Sequence, residues 1–549
     1  MKQALHNIAF SLERATQNHP NQTAIIESRK GNSISFQELY NQSSLIASGL
    51  NQYGFKKGDR VLLFVPFSIQ FISIAFALFK AQAIPILIDP GLGKKNILKC
   101  IRESEPQGII ATPIIHIALK LLSKPIRDLK YKVTTTSVWP WGQCSLKKIS
   151  TIGKTSSLTQ EETLPSEPAA ILFTSGSTGS PKGVVYTHEM FSHQLEVLRS
   201  CYQIQQQDVD LSTFPLFSLF GVGIGMTSIL PEMDFSCPAK VNPEKILKTI
   251  SKYKITSGFG SPALWNTISR YCISNNQNLY SLNRILMAGA PIPGSLLEKF
   301  DHILKPNAEI HTPYGATEAL PVTTIERKEI SKDTYKKSQQ GYGTCVGRAV
   351  PGIEFRIIKI TDDSIHQWND SLELTHGEIG EVVVKGQWVT RNYFNHNRAN
   401  KLAKIKDHGN TFWHRMGDVG YIDDKSRLWF CGRKSQRVRT ANDTLFTIQC
   451  EGVFNAHPKV KRSALVGVGK SDNQKPVIVI EPEFPSNLKN DSKQKALIKD
   501  LLEFRSNYNH TLKIKNILIH VAEFPVDIRH NSKIFREKLA QWATKKICT

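Results

Sequence analysis

The stretch Ile171–Tyr186, ILFTSGSTGSPKGVVY, carries the densest set of groups that could do chemistry. An apolar run leads into Thr174, Ser175, Gly176, Ser177, Thr178 and Gly179, then Ser180-Pro181-Lys182-Gly183, and a second apolar run follows. Glycines let the backbone turn N–H groups inward as an anion nest, hydroxyls add donors, and one lysine adds a point charge. Such a loop suits a nucleoside triphosphate. It is not a GxxxxGK[ST] loop, because its lysine follows proline and precedes glycine instead of opening a helix. The plain alternative is a flexible Ser/Gly hairpin turn, which the residue order after a buried strand disfavours. Three other matches fail. His188 and His193 stand five apart, where a shared helical face needs four. Gly221-Val222-Gly223-Ile224-Gly225 lacks the acidic residue of a dinucleotide fold, and Ser471-Asp472-Asn473 lacks a following KTG element.

On these residues the chain resembles the adenylate-forming superfamily of acyl-CoA synthetases, peptide-synthetase adenylation domains and luciferases. Five further segments match in the expected order. They are Met287-Ala288-Gly289-Ala290-Pro291, Tyr314-Gly315-Ala316-Thr317-Glu318, Met416-Gly417-Asp418, Gly432-Arg433 and Asn531-Ser532-Lys533. The resemblance implies that Tyr314 stacks on adenine while Gly289, Ala290 and Pro291 line its edge, with Gly315, Ala316 and Thr317 completing the nucleotide pocket. It implies that Asp418 receives the ribose hydroxyls with support from Arg433. It assigns Mg²⁺ to Glu318, with Thr174 or Thr317 assisting, and makes Lys533 the mobile cation at the reacting centre. The reaction so implied joins a carboxylate to AMP as a mixed anhydride, which requires two anions to be held together and charge at the α-phosphorus to be offset. Each residue also has a plainer reading: a turn aspartate, an exposed helix-start carboxylate, a solvated basic helix start.

The substrate side is legible from absences. Amino-acid-activating relatives place an aspartate near Phe214–Phe220 to pair an ammonium. This chain reads TFPLFSLFG from Thr213, with no carboxylate, and burying an unpaired ammonium there would be costly. Phe214, Phe217 and Phe220, with Phe259 and Gly260 from FGSPAL, are expected to form an apolar acyl pocket, some of them being core. Ser218 replaces the histidine usual in acyl-CoA synthetases. Ser435 replaces a hinge aspartate, and Arg437–Glu451 lacks the glycine loop that borders a pantetheine channel. These departures put coenzyme A use in question.

The phrases PLFSLFG, HTPYGATEALP, HRMGDVGY, LWFCGRKSQRV and FPVDIRHNSKIFREKLAQWA resemble the olefin-pathway β-lactone synthetases, often described as fatty-acid-CoA ligases. That resemblance implies a 2-alkyl-3-hydroxy fatty acid, ATP and Mg²⁺, followed by attack of the substrate's own 3-hydroxyl to give a β-lactone and AMP. An internal nucleophile needs no second-substrate channel. His311 is a candidate base and equally a candidate core histidine. A fatty acyl-CoA or acyl-carrier ligase shares every first-step motif and stays open. So does a non-catalytic or nucleic-acid-binding relative, suggested by charge alone, although no basic–aromatic interleaving supports it.

The elements that must position these groups follow from periodicity. Ser35–Leu50 reads as helix, Val61–Val65 as strand, Phe67–Ala81 as helix, and Pro85–Ile88 and Gly108–Ala111 as strands. Val61–Phe79, uncharged throughout, is read as strand and buried helix because Pro66 breaks it. Thr134–Pro168 reads as a loop-rich connection, and Gly341–Phe430 as a smaller strand-rich subdomain. The expected fold is α/β: a large N-terminal domain, 1–433, of doubly wound subdomains plus the strand-rich one, and a mobile α+β domain, 434–549.

Composition sets bounds. The chain has 549 residues, 40% hydrophobic and 21% charged, which excludes disordered and fibrous classes. Lys plus Arg 70 against Asp plus Glu 47 gives +23, compatible with anionic partners, peripheral contact with a membrane surface, or a dispersed basic surface. Nine cysteines without a CxxC pair read as reduced thiols in a cytoplasmic protein. Partner enzymes of a hydrocarbon pathway are implied by the subgroup resemblance alone.

Overall fold

The structure, a computed structural model, describes residues 7–122, 129–136, 144–155, 162–174, 181–488, 490–527 and 534–548. Two seven-stranded sheets carry the N-terminal part. One runs in the order Cys144–Ser145, Tyr131–Thr134, Gly108–Ala111, Arg60–Phe64, Ile84–Ile88, Pro168–Thr174, Lys182–Thr187. It is parallel except for its last pair. The other runs Glu309–His311, Arg284–Met287, Ser257–Gly260, Val209–Ser212, Thr227–Leu230, Thr23–Glu27, Asn32–Ser35, and only its last pair is antiparallel. Parallel strands need crossover helices, so both sheets are covered by helices and their strands are apolar on both faces.

Local signals explain the boundaries. Ser35 caps Phe36–Tyr53 through a capping box with Glu38, and Gly54 ends it at φ 114°. The helix read from Phe67 starts at Ile69, because Ser68 caps it by accepting the Phe71 N–H. The loop-rich reading of Thr134–Pro168 needs correction: Leu146–Gly153 is a helix, capped by Ser145. It lies against Phe36–Tyr53 through two glycines. A Cβ on Gly49 would stand 1.9 Å from the Ile149 carbonyl oxygen, and one on Gly153 2.0 Å from that of Leu45. The helix thus combines a buried apolar face, Leu146 and Ile149, with close backbone packing at the two glycines.

A third, eight-stranded antiparallel sheet follows the order Tyr314–Ala316, Ala319–Thr324, Thr344–Ala349, Leu428–Arg433, Phe412–Ile422, Gly380–Gly386, Ile353–Ile358, with Lys404–Lys406 beside Phe412–Ile422. Beyond Arg433, strands Val460–Lys470, Asn473–Pro482 and Asn516–Ile519 pack with helices Thr447–Asn455, Asp491–Arg505 and Arg536–Cys548 around their own apolar clusters. The two parts meet closely, since a Cβ on Gly452 would lie 2.4 Å from the Ser338 carbonyl oxygen. The crossing segment Lys434–Arg439 is tied by charge. Lys434 Nζ lies 3.0 Å from Glu381, and Arg437 and Arg439 lie 2.6 and 3.5 Å from Asp362. Buried Glu381 also holds Arg415 at 2.6 Å. Among the described residues no helix is long and apolar enough to cross a membrane.

Candidate functional site

Three elements bring the candidate nucleotide residues to the edges of the sheets. In the first sheet, Thr174 and Lys182 are register partners at the base of the phosphate loop. Ser175, Gly176, Ser177, Thr178 and Gly179 lie outside the described residues, as does Lys533. In the second sheet, Arg284–Met287 ends at a turn in which Gly289 takes φ 98°, with Gly289 and Pro291 exposed beside half-buried Ala290. In the third sheet, Tyr314–Ala316 and Ala319–Thr324 form a hairpin with Thr317 and Glu318 at its tip. Glu318 is thus a hairpin-turn residue, not a helix-start carboxylate. Gly315 is needed inside this hairpin, where a Cβ would stand 2.4 Å from the Ala319 carbonyl oxygen.

Asp418, Arg433 and Tyr314 meet as one cluster. Asp418 and Arg433 are register partners on neighbouring strands, and their side chains form an ion pair at 2.7 Å. The Tyr314 hydroxyl donates to Asp418 Oδ2 at 2.6 Å, and its ring tilts against Phe430 at 6.0 Å. Burial pushes the Asp418 carboxyl above its ordinary value, while Arg433 and the Tyr314 hydroxyl pull it back. In turn Asp418 holds the Arg433 guanidinium above its own ordinary value. The carboxylate is thus fixed in place by two charge-assisted contacts on neighbouring strands.

Glu318 occupies a second polar cluster. Its Oε1 accepts the Tyr393 hydroxyl at 2.7 Å, and its backbone carbonyl accepts the Thr390 N–H at 2.8 Å. Tyr186 donates to the Thr317 carbonyl, and Lys404 donates to that of Thr390. Burial pushes the Lys404 ammonium down to about 7, opposed by the Glu318 charge. Nearby His414 is buried and pushed well below its ordinary value, again chiefly by burial. Among the described residues no group of three or more His, Cys, Asp or Glu could hold a metal unaided. One carboxylate oxygen donor beside a phosphate loop fits Mg²⁺, which keeps waters and takes its remaining ligands from substrate phosphates.

The expected acyl pocket is assembled from the second sheet and the helix Pro215–Ile224. Phe217 stacks on Phe259 with centroids 3.6 Å apart, Phe220 meets Phe217 edge-on at 5.9 Å, and Phe214 lies 6.1 and 6.0 Å from Phe217 and Phe259. Behind the stacked pair a cavity of about 30 Å³ is lined by Phe217, Phe220, Phe259, Ile224, Ser257 and Asp210, among others. Gly260 needs correction. It sits on the other face of its strand, where a Cβ would stand 2.6 Å from Leu264 and Trp265, so it allows core packing and does not face the phenylalanines. Ser218 is buried, its hydroxyl without a hydrogen-bond partner among the described residues.

Asp210 lies just outside the carboxylate-free segment Thr213–Gly221. It is buried, accepts the Ser212 hydroxyl at 2.6 Å, and is pushed up to about 7, mainly by burial. An acid inside an apolar-looking strand was its only signal. His311 contacts Glu309 at 2.9 Å and the ring of Tyr202. Buried Glu451 pairs with Arg536 at 2.6 Å, fixing the helix start that follows Lys533.

Comparison with known proteins places the chain in a family. The AMP-binding enzyme family matches residues 12–394. An olefin beta-lactone synthetase of Xanthomonas campestris is 40% identical over 555 residues, covering 99% of this chain and 98% of that protein. One of Stenotrophomonas maltophilia is 39% identical over 555 residues, covering 98% of each. The amide bond synthetase McbA of Marinactinospora thermotolerans, 18% identical, superposes with a TM-score of 0.78 over 97% of this chain and 99% of its own, a likeness of fold.

Proposed function

Because the chain belongs to the AMP-binding enzyme family and is an AMP-forming ligase or synthetase, we propose that it activates a long-chain 2-alkyl-3-hydroxy acid with ATP and closes it to a β-lactone. The observation that carries this reading is the full-length 40% identity to an olefin beta-lactone synthetase. In the first step a carboxylate oxygen of the acid attacks the α-phosphorus and the bond to pyrophosphate breaks. Asp418, held by Arg433 and Tyr314, orients the ribose, so the α-phosphorus is fixed relative to the sheet. Gly289, Ala290 and Pro291 border the adenine, while Lys182 and the hydroxyl loop 174–179 receive the phosphates. Glu318 holds Mg²⁺, which neutralises phosphate charge when bound. Lys533 contacts the carboxylate and the ribose side.

In the second step the 3-hydroxyl oxygen attacks the acyl carbonyl carbon, the bond to AMP breaks, and a proton is released. The Phe214, Phe217, Phe220 and Phe259 wall excludes water from the anhydride and orients the alkyl chains. A coenzyme A or carrier ligase is the second reading, favoured by the shared first-step residues and disfavoured by Ser435 and the Arg437–Glu451 run. Mass analysis after incubation with ATP, Mg²⁺ and a 3-hydroxy acid tests both. Lactone without thiol is expected, and turnover only with thiol overturns lactone closure. Lys533→Ala is expected to lower pyrophosphate exchange about a thousandfold while retaining ATP binding. Exchange at the wild-type rate would remove Lys533 from the reacting centre. Association with enzymes that supply the hydroxy acid, and peripheral contact with lipid surfaces, are part of the same proposal.

A further inference from the structure

Tyr393 lies outside the motifs named above, yet it touches two of the proposed phosphate-side groups at once. Its segment runs beside the strand Lys182–Thr187, which returns from the phosphate loop. Phe394 N–H donates to the Gly183 carbonyl at 2.8 Å, Val185 N–H donates to that of Asn392 at 3.3 Å, and Tyr393 bridges Val184. Asn400 clamps the same residue from both sides. Its Oδ1 accepts the Tyr393 N–H at 2.7 Å, and its Nδ2 donates to the Tyr393 carbonyl at 3.1 Å. The backbone of Tyr393 is thereby tied on both sides, and the residue is only 5% exposed.

From that fixed position the hydroxyl donates to Glu318 Oε1 at 2.7 Å, while Lys182 Nζ stands 4.9 Å from the ring centroid. One side chain thus contacts the candidate metal carboxylate with its edge and the phosphate-loop lysine with its face. The two groups come from different sheets, and among the described residues no bond joins them directly. A phenol restrains a carboxylate without neutralising it, and a ring face holds an ammonium without satisfying its donors. Neither contact is an ion pair.

We propose that Tyr393 is a positioning residue that sets the spacing between Lys182 and Glu318, and so tunes the site for a divalent cation chelated by a triphosphate. The proposal rests on the reading that Lys182 and Glu318 face the triphosphate. Tyr393→Phe keeps the ring and the backbone bridge and removes only the hydroxyl. Asn400→Ser loosens the clamp and leaves Tyr393 itself intact.

Manganese binding in the presence of a non-hydrolysable ATP analogue, read by electron paramagnetic resonance, is the direct measurement, with a thermal melt alongside. Tyr393→Phe is expected to raise the half-saturating manganese concentration about tenfold, the usual scale for a hydrogen bond to a charged group, with an unchanged melt. Asn400→Ser is expected to raise it about threefold. In the exchange assay, KM for the metal–nucleotide complex should rise more than kcat falls. Wild-type manganese affinity in either variant that folds overturns the proposal. A wild-type protein that binds no manganese–nucleotide complex would instead sink the underlying reading.

Discussion

Two buried aspartates mark the two halves of the site, and their surroundings differ in kind. Asp418 is given a guanidinium at 2.7 Å and a phenol at 2.6 Å, whereas Asp210, behind the phenylalanine wall, is given one serine hydroxyl. Both are nearly sealed from solvent, at 2% and 7% exposure. A carboxylate supplied with donors stays a usable acceptor; one without a countercharge keeps its proton into the neutral range. On the proposed nucleotide side a buried acid is thus opposed by a countercharge, and on the proposed acyl side burial acts on an acid whose named partner is a single hydroxyl.

Removing the unpaired acid should give the largest change. The Asp210 carboxyl at about 7, against an ordinary unfolded one near 4, binds its proton more tightly in the native state. It therefore lowers stability progressively as pH rises from about 4 to 7, with the full cost above that, roughly 4 kcal/mol. Asp210→Asn should match wild type at pH 4 and exceed it increasingly toward pH 8 in denaturant titrations. A pH-independent difference would remove the distinction between the two acids.

Asp418→Asn attacks the other half. Arg433 would lose its partner, at a cost of about 3 kcal/mol in nucleotide binding or stability, readable by calorimetry with an ATP analogue. Phe217→Ala opens the stacked pair, with an expected loss of about 2 kcal/mol of stability and a raised KM for long-chain but not short-chain acids. Smallest is Ser218→Ala. It removes a buried hydroxyl without a partner among the described residues and should raise stability by about 1 kcal/mol in a thermal melt.

What the sequence discloses follows the same division. Tyr314, Glu318, Asp418 and Arg433 sit in short contiguous motifs, so residue order alone exposes them. The helix at Phe36–Tyr53 is legible for a similar reason: its cap and its apolar period lie within one window. Tyr393 and Asp210 are not legible in this way. Tyr393 acquires its meaning from Glu318, a residue far away in the chain on another sheet, whereas Asp210 acquires its meaning from burial behind the wall, which residue order does not show. Gly260 misleads because a strand alternates faces, so the neighbour of a pocket residue points away from the pocket. The helix Leu146–Gly153 is hidden because it is short and sits in a polar stretch, its apolar face amounting to Leu146 and Ile149 beside two closely packed glycines.

Glu381 has a consequence for any swing of the smaller lobe. Two cations share this acid, Arg415 from its own sheet and Lys434 from the crossing strap. Because the arginine stays behind, the lysine can depart without stranding a naked charge in the interior, which is the event that makes most interior ion pairs hard to open. If the smaller lobe moves as the family resemblance implies, this clasp opens at low cost, and a Lys434→Met replacement would be expected to loosen the strap while sparing the fold of either lobe.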